Sequence, residues 1–137
     1  MMLLLFTSFL TEAMTSSNTS TSGNYSMVHT LSQASSGIIT FVAGSNSDEG
    51  LIGVYDIAAT AAKLDGAKGV VIGAAGNLFI STNTKILKLV ASTGLITLIA
   101  GKGSSGSTLD GILATSADLK LPKGIALDKV GNIYVAE

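Results

Sequence analysis

Residues that could act as catalysts or metal ligands are few in this sequence. Its 137 residues include nine acidic side chains, eight lysines, one histidine and no cysteine. Acid–base, nucleophilic and metal chemistry all need several such groups to converge on one site. A Ser-His-Asp arrangement would have to use His29, which stands in a Ser/Thr-rich stretch without an acidic neighbour. We interpret His29 as a solvated side chain, and the sequence assigns no catalytic, cofactor-binding or metal-ligating residue.

An acidic pair, Asp48 and Glu49, lies in the loop Gly44–Gly50, which is rich in Gly, Ser and Asn. Oxygen-rich loops of this kind can bind calcium. The alternating acidic pattern of a calcium loop is absent, however, and the corresponding loop Lys102–Asp110 lacks the pair. The sequence therefore favours a solvated loop, with a calcium site as the alternative.

The segment Gly101–Ser107 superficially resembles a phosphate-binding loop. Such a loop carries its lysine after the glycines and leads into a helix whose N-terminus faces the phosphate. Here Lys102 stands near the beginning of the segment, and no long helical pattern follows. We therefore do not expect this segment to bind phosphate.

The overall composition excludes further functions. Charged residues make up 12% of the chain and the formal net charge is −1, so no basic surface for nucleic acid is expected. All the basic residues are lysines, which lack the planar fork that arginine uses for bidentate phosphate and base contacts. The absence of cysteine excludes disulfides, cysteine-ligated zinc and thiol catalysis.

The N-terminal apolar run, Met1–Leu10, resembles the hydrophobic region of a secretory signal. Thr11–Ala13 loosely fits a small-residue cleavage site, so residues 1–13 are expected to be a signal peptide. No lysine or arginine precedes the run, and it is shorter than the ~18 residues needed to span a bilayer. A misplaced start codon and an ordinary buried strand are the alternatives, and no transmembrane segment is expected.

Residues 14–36 are dominated by serine and threonine and contain no charged side chain. This composition is too polar to bury a core and predicts a disordered linker. Two glycosylation sequons, at Asn18 and Asn24, matter if the chain is secreted, although such triplets also arise by chance in a stretch like this. With a genuine leader the protein is expected outside the cell or on its surface; otherwise its location is not predicted.

An internal repeat is the strongest signal in the sequence. Gly37–Gly44 recurs as Gly94–Gly101 at an offset of 57 residues, with apolar exchanges at the positions that differ. Ala59–Ser81 recurs as Ala114–Ala136 at an offset of 55 residues. Repetition at such a period is typical of propellers and solenoids.

Short apolar runs separated by Gly or Asn predict strands rather than helices. Because the runs are nearly continuous, they suit sheets covered on both faces, as in a propeller of four-stranded antiparallel blades. The alanine-rich pieces Ala59–Leu64 and Ala114–Leu119 are expected to form one or two helical turns. The predicted strands lie near residues 38–43, 69–73, 77–81, 85–90, 95–100, 124–128 and 132–136.

Two lysines, Lys68 and Lys123, recur at equivalent positions before the first strand of each unit. A repeated lysine near a propeller axis could attract anions. We favour the other interpretation, in which the stem packs and the ammonium reaches water.

The order and spacing of these motifs resemble the NHL repeat family, in particular the teneurin-type repeats. The matching segments are Gly94–Gly101, Ala114–Leu119, Pro122–Asp128 and Gly131–Ala136. The resemblance covers residues 37–137 and implies a propeller, often with six blades, in which Gly69 begins the innermost strand of a blade. It implies one complete blade and two partial ones here, so we expect a truncated segment of a longer propeller.

The first copy of the unit departs from the family pattern. Ser81 stands where the family usually has Asp, and the following segment, Thr82–Ile86, is shortened and carries Lys in place of Arg. Gly73 replaces the Asp found at Asp128 in the second copy. These differences put in doubt any function that the family assigns to the turn between the second and third strands.

The sequence thus predicts a non-enzymatic NHL-repeat segment that recognises a protein or a glycan or serves as a scaffold. Partner contacts are expected on the long connections, Gly44–Lys68 and Gly101–Lys123, because loops on a rigid frame can vary without harm to the core. The resemblance implies that these connections lie beside the turns between second and third strands. One alternative is a fragment of a propeller lyase or hydrolase whose axial site lies in missing blades, and another is a cytosolic interaction platform. No cofactor is expected.

Overall fold

The computed structural model describes residues 15–20, 23–32, 38–45, 55–106 and 110–137, and within these ranges the protein is all-β. The strands form three antiparallel sheets, each of them open within the described ranges. The strands are β1 (Thr15–Ser20), β2 (Gly23–Ser32), β3 (Ile38–Ala43), β4 (Ile57–Ala58), β5 (Gly69–Ile72), β6 (Leu78–Ser81), β7 (Ile86–Val90), β8 (Leu95–Ala100), β9 (Gly124–Leu127) and β10 (Ile133–Ala136).

The central sheet has the order β4-β8-β7-β6-β5, so strands β5 to β8 follow one another as an antiparallel meander. These four strands confirm the predicted strands of the complete unit to within one residue at each end. The fifth strand, β4, was not predicted, since it has two residues and adjoins the alanine-rich piece. Its pairing with Leu95 and Ile96 places it on the outer edge of the sheet.

The helical pieces are single 3₁₀ turns. Ala59–Ala61 and Ala114–Ser116 form such turns at equivalent places in the two connections, and Ala74–Gly76 forms a third between β5 and β6. One turn agrees with the one or two expected, because a short alanine-rich piece cannot propagate a helix without packing partners.

The first sheet, β1-β2-β3, corrects the expectation of a disordered linker over residues 14–36. Within that stretch, β1 and β2 pair with each other, and β2 pairs with β3. Polar side chains do not prevent this, because the ladder is made by backbone N–H and C=O groups and the apolar strand β3 offers its edge. The disorder prediction rested on side-chain polarity alone.

The pairing of β2 with β3 repeats that of β7 with β8. Val28 pairs with Ala43, and the register then shifts before the next pair. Ile86 pairs with Ala100, and the register shifts at the same place. Since β3 and β8 carry the repeated segments Gly37–Gly44 and Gly94–Gly101, the first sheet corresponds to β6, β7 and β8 of the central sheet.

The third sheet consists of β9 and β10, paired antiparallel as β5 pairs with β6. Strand β9 lies next to β5 and β6, so the second copy of the unit packs beside the first. The side chains of β10 are largely exposed, including Tyr134 and Val135, whereas most of those on β6 are buried.

One apolar core connects the first sheet with the central sheet. Val28 and Ala43 from the first sheet are buried with Leu64, Ile80 and Ile96. Removing aliphatic side chains of this kind from water is the main source of stability in such a fold. Among the described residues, no helix has the length and apolar character needed to cross a membrane. The leader expected at residues 1–13 lies outside the described residues.

Candidate functional site

The two long connections begin in the same way. The N–H of Gly44 donates to the carbonyl of Ala59 at 2.9 Å, and the N–H of Gly101 donates to the carbonyl of Ala114 at 2.9 Å. Each connection therefore folds back at its 3₁₀ turn against the end of the strand that precedes it, β3 or β8. This anchors the described parts of the connections, 44–45 with 55–68 and 101–106 with 110–123, on the repeated frame.

The turn between β6 and β7 is closed by Thr82, which is buried. The N–H of Thr82 donates to the carbonyl of Lys85 at 2.9 Å. Its hydroxyl Oγ1 donates to the same carbonyl at 3.1 Å and accepts from the N–H of Lys85 at 3.2 Å. A hydroxyl that both donates and accepts satisfies the backbone of this short turn.

Asn83, at the tip of this turn, holds both connections. Its N–H donates to the carbonyl of Asp65 at 2.9 Å, and its side-chain amide donates to the Asp65 carboxylate at 3.2 Å. The N–H of Leu121 donates to the Asn83 carbonyl at 3.0 Å. The two connections thus meet at one end of the central sheet, which we call the connection end and define by Asp65, Thr82–Lys85 and Leu121.

An ion pair closes the beginning of the second connection. Lys102 Nζ lies 3.0 Å from Asp118 Oδ2, and Ser104 Oγ donates to Asp118 Oδ1 at 2.5 Å. These hydrogen bonds, from Ser104 first and then from Lys102, hold the pKa of the Asp118 carboxyl below its ordinary value. Lys102, the lysine of the phosphate-loop-like segment, is therefore engaged by a carboxylate of its own chain.

A lysine at the connection end, Lys85, lies on an aromatic ring. Lys85 Nζ is 5.9 Å from the centroid of the Tyr55 ring, within the range of a cation–π contact. Tyr55 is half-buried. The contact ties the turn between β6 and β7 to the first connection.

The second connection also exposes apolar side chains. Leu113 is 76% exposed, and its neighbour Ile112 is about half exposed. The two residues directly precede the 3₁₀ turn Ala114–Ser116, which is itself hydrogen-bonded to the outer strand through Gly101. These two adjacent aliphatic side chains give the second connection a small exposed apolar surface on an anchored segment.

The other residues singled out by sequence do not converge. Lys68 and Lys123 are exposed, and their N–H groups donate at 2.8 Å to equivalent carbonyls, of Ser81 and Ala136. The backbone of His29 pairs with that of Phe41. Among the described residues, no group of three or more His, Cys, Asp or Glu side chains could hold a metal ion. The pair Asp48 and Glu49 lies outside the described residues.

Asp128, at the opposite end of the fold, organises the turn between β9 and β10. Its carboxylate accepts from the N–H groups of Val130 at 3.0 Å and Asn132 at 2.8 Å, from the Asn132 side-chain amide at 2.6 Å, and from the Tyr134 hydroxyl at 3.3 Å. Desolvation acts to raise the pKa of this carboxyl, but the hydrogen bonds from Asn132, Val130 and Gly131 outweigh it and lower the pKa. The carboxylate therefore serves the turn.

Comparison with protein-family models gives no match for this chain. No curated protein matches it at a significant level either. The resemblance to the NHL repeats consequently rests on the quoted motifs and their spacing.

Proposed function

We propose that this chain is a segment of an NHL-type β-propeller that recognises a protein or a glycan, or holds one as a scaffold, without catalysis of its own. The connection end is the contact surface in this proposal. An N-terminal leader would place the protein outside the cell or on its surface.

The supporting observation is the recurrence of one structural unit. Strand β2 meets β3 with the register and the irregularity that β7 has with β8. Strands β9 and β10 begin a further unit beside β5. Successive antiparallel units packed side by side are how a propeller is built.

The two connections support a role in recognition because the repeated frame holds them in fixed positions. The connections are fixed through Asn83, Asp118 and Lys85, so side chains on them have defined positions. Ile112 and Leu113 present apolar surface on the second connection, which extends the contact surface of this proposal beyond the connection end. Binding at a preorganised apolar patch loses less conformational entropy than binding by a flexible loop.

The test is a binding screen with the labelled 137-residue chain on arrays of extracellular protein domains and of glycans. The double variant Ile112→Ser, Leu113→Ser should weaken binding to a genuine partner by about tenfold or more, since two apolar side chains leave the interface. Phe41→Ser is the matched control, because Phe41 is an exposed apolar side chain on β3. Equal binding by the double variant would move the contact surface away from the second connection.

A further inference from the structure

A cleft of about 430 Å³ lies at the end of the fold opposite the connection end. It is bordered by two equivalent turns, Gly73–Asn77 between β5 and β6 and Asp128–Gly131 after β9. Clefts of this volume are large enough to enclose a ligand side chain. The cleft exists because the second copy of the unit packs beside the first, so it belongs to neither copy alone.

Apolar side chains form most of the wall of the cleft. Phe79 and Leu127 line it from β6 and β9, and Ile72 and Val130 stand at its margin, with Val130 84% exposed. Gly73 allows this arrangement, because a Cβ atom there would lie 2.8 Å from Phe79 Cε2 and 3.1 Å from Leu127 Cδ1. The first copy thus has a steric reason to carry Gly at position 73, where the second copy carries Asp128.

Two charged residues line the cleft, Asp128 and Lys129, and Lys129 is the one open to a ligand. The Asp128 carboxylate already accepts four hydrogen bonds from its own turn. Lys129 is exposed, and within the described ranges its ammonium has no ion-pair partner. The cleft therefore offers a cation beside an apolar wall.

The polar groups that could read sugar hydroxyls are already occupied. The Asn77 amide donates to the carbonyl of Ala74 at 3.3 Å and accepts from the N–H of Ala91 at 3.0 Å. The Asn132 amide donates to Asp128. With the Asn77 amide and the Asp128 carboxylate of its lining engaged internally, the cleft suits an apolar anchor better than a glycan.

We propose that this cleft binds a protein segment in which an apolar side chain is followed by an acidic one. The apolar side chain packs against Phe79 and Leu127, and the carboxylate pairs with Lys129. This is a second contact surface, at the opposite end from the one in the proposed function, and it goes beyond that proposal.

The probe is the blocked peptide acetyl-Gly-Leu-Asp-Gly-amide, titrated into the ¹⁵N-labelled 137-residue chain and followed by NMR. We expect saturable shifts at the amides of Gly73, Asn77 and Lys129–Gly131. Replacing Leu by Ala in the peptide should weaken binding by about tenfold or more, and replacing Asp by Asn by about two- to fivefold. Saturable shifts with methyl glucoside and none with the peptide would overturn the proposal, as would shifts outside these amides.

Two variants test the wall and the cation separately. Gly73→Ala should displace the Phe79 ring and abolish the peptide shifts, whereas Gly124→Ala should keep them, since its Cβ would make an ordinary 3.4 Å contact with Ala136. Lys129→Gln, a surface change, should remove the preference for Asp over Asn, and Lys120→Gln should retain it. A preference unchanged in Lys129→Gln overturns the assignment. The double variant Ile112→Ser, Leu113→Ser should bind the peptide normally, so failure here is distinct from failure of the proposed function.

Discussion

Val28 and Ile86 occupy the same position in two different sheets. Val28 pairs with Ala43 and Ile86 with Ala100, and in both ladders the register shifts directly after this pair. Both side chains are buried, with exposed fractions of 2% and 0%. The Ser/Thr-rich stretch therefore contributes a buried residue to the same kind of unit that the apolar repeats form.

This equivalence predicts that Val28 is needed for folding. Val28→Asp should lower the free energy of unfolding by about 3 kcal/mol or more, because it buries an unpaired carboxylate in the core. Val130→Asp, at an exposed valine, should change it by less than about 0.5 kcal/mol. Urea denaturation followed by circular dichroism measures both. If residues 14–36 were a disordered linker, the two variants would be equally stable.

The strand positions of residues 69–100 could be predicted because each strand is a short apolar run ended by Gly or Asn. Strands β1, β2 and β4 could not, since β1 and β2 lie in a Ser/Thr-rich stretch and β4 has two residues. Backbone pairing with neighbouring strands forms them, and Ile57 of β4 also packs against the core. The ion pair of Lys102 with Asp118 and the cleft beside Gly73 depend on parts of the chain brought together by folding. No local sequence pattern predicts such contacts.

Gly101 is predicted to be irreplaceable, because its φ is +89° and a Cβ there would overlap the carbonyl oxygen of Thr84. Gly101→Ala should cost about 3 kcal/mol or more of stability, from the left-handed backbone and the overlap together. Gly94→Ala is the matched control, with φ +70° and no atom within 4 Å of its Cβ. It should cost about 1–2 kcal/mol. Equal losses in urea denaturation would show that the approach of Thr84 does not matter.

The hydroxyl of Thr82 is predicted to hold the connection end together. Thr82→Val keeps the shape and the backbone hydrogen bond but removes the two that the hydroxyl makes with Lys85, which should cost about 1–3 kcal/mol. Hydrogen exchange at the amides of Asn83 and Leu121 should accelerate, because these groups join the turn to the connections. Thr84→Val, in the same turn, serves as the control. Unchanged exchange in Thr82→Val would mean that the turn is fixed by other contacts.

Export is predicted from the leader and the sequons. Expression in a eukaryotic secretory host should yield a chain that begins at Met14, directly after Ala13. Met14 immediately precedes Thr15, the first residue of β1. Mass spectrometry should detect a glycan at Asn18 or Asn24, and the double variant Asn18→Gln, Asn24→Gln should lack it. Protein retained in the cytosol with Met1–Ala13 intact would contradict this prediction.

The stability of the second connection is predicted to depend on the charge of Asp118. Its folded-state pKa lies below the unfolded value, so the ionised carboxylate contributes stability above the unfolded pKa, and this contribution is lost as the pH falls through the folded pKa. Asp118→Asn should therefore be less stable than the parent chain at pH 6, and the difference should shrink below about pH 4. Sodium chloride at 0.5 M, where the Debye length is about 4 Å, should reduce the share of this stability difference that comes from the ion pair with Lys102. The control is Asp110→Asn, because Asp110 is an exposed carboxylate on the same connection. A difference in urea midpoint between the parent chain and Asp118→Asn that stays constant from pH 6 to pH 2.5 would refute the role of Asp118.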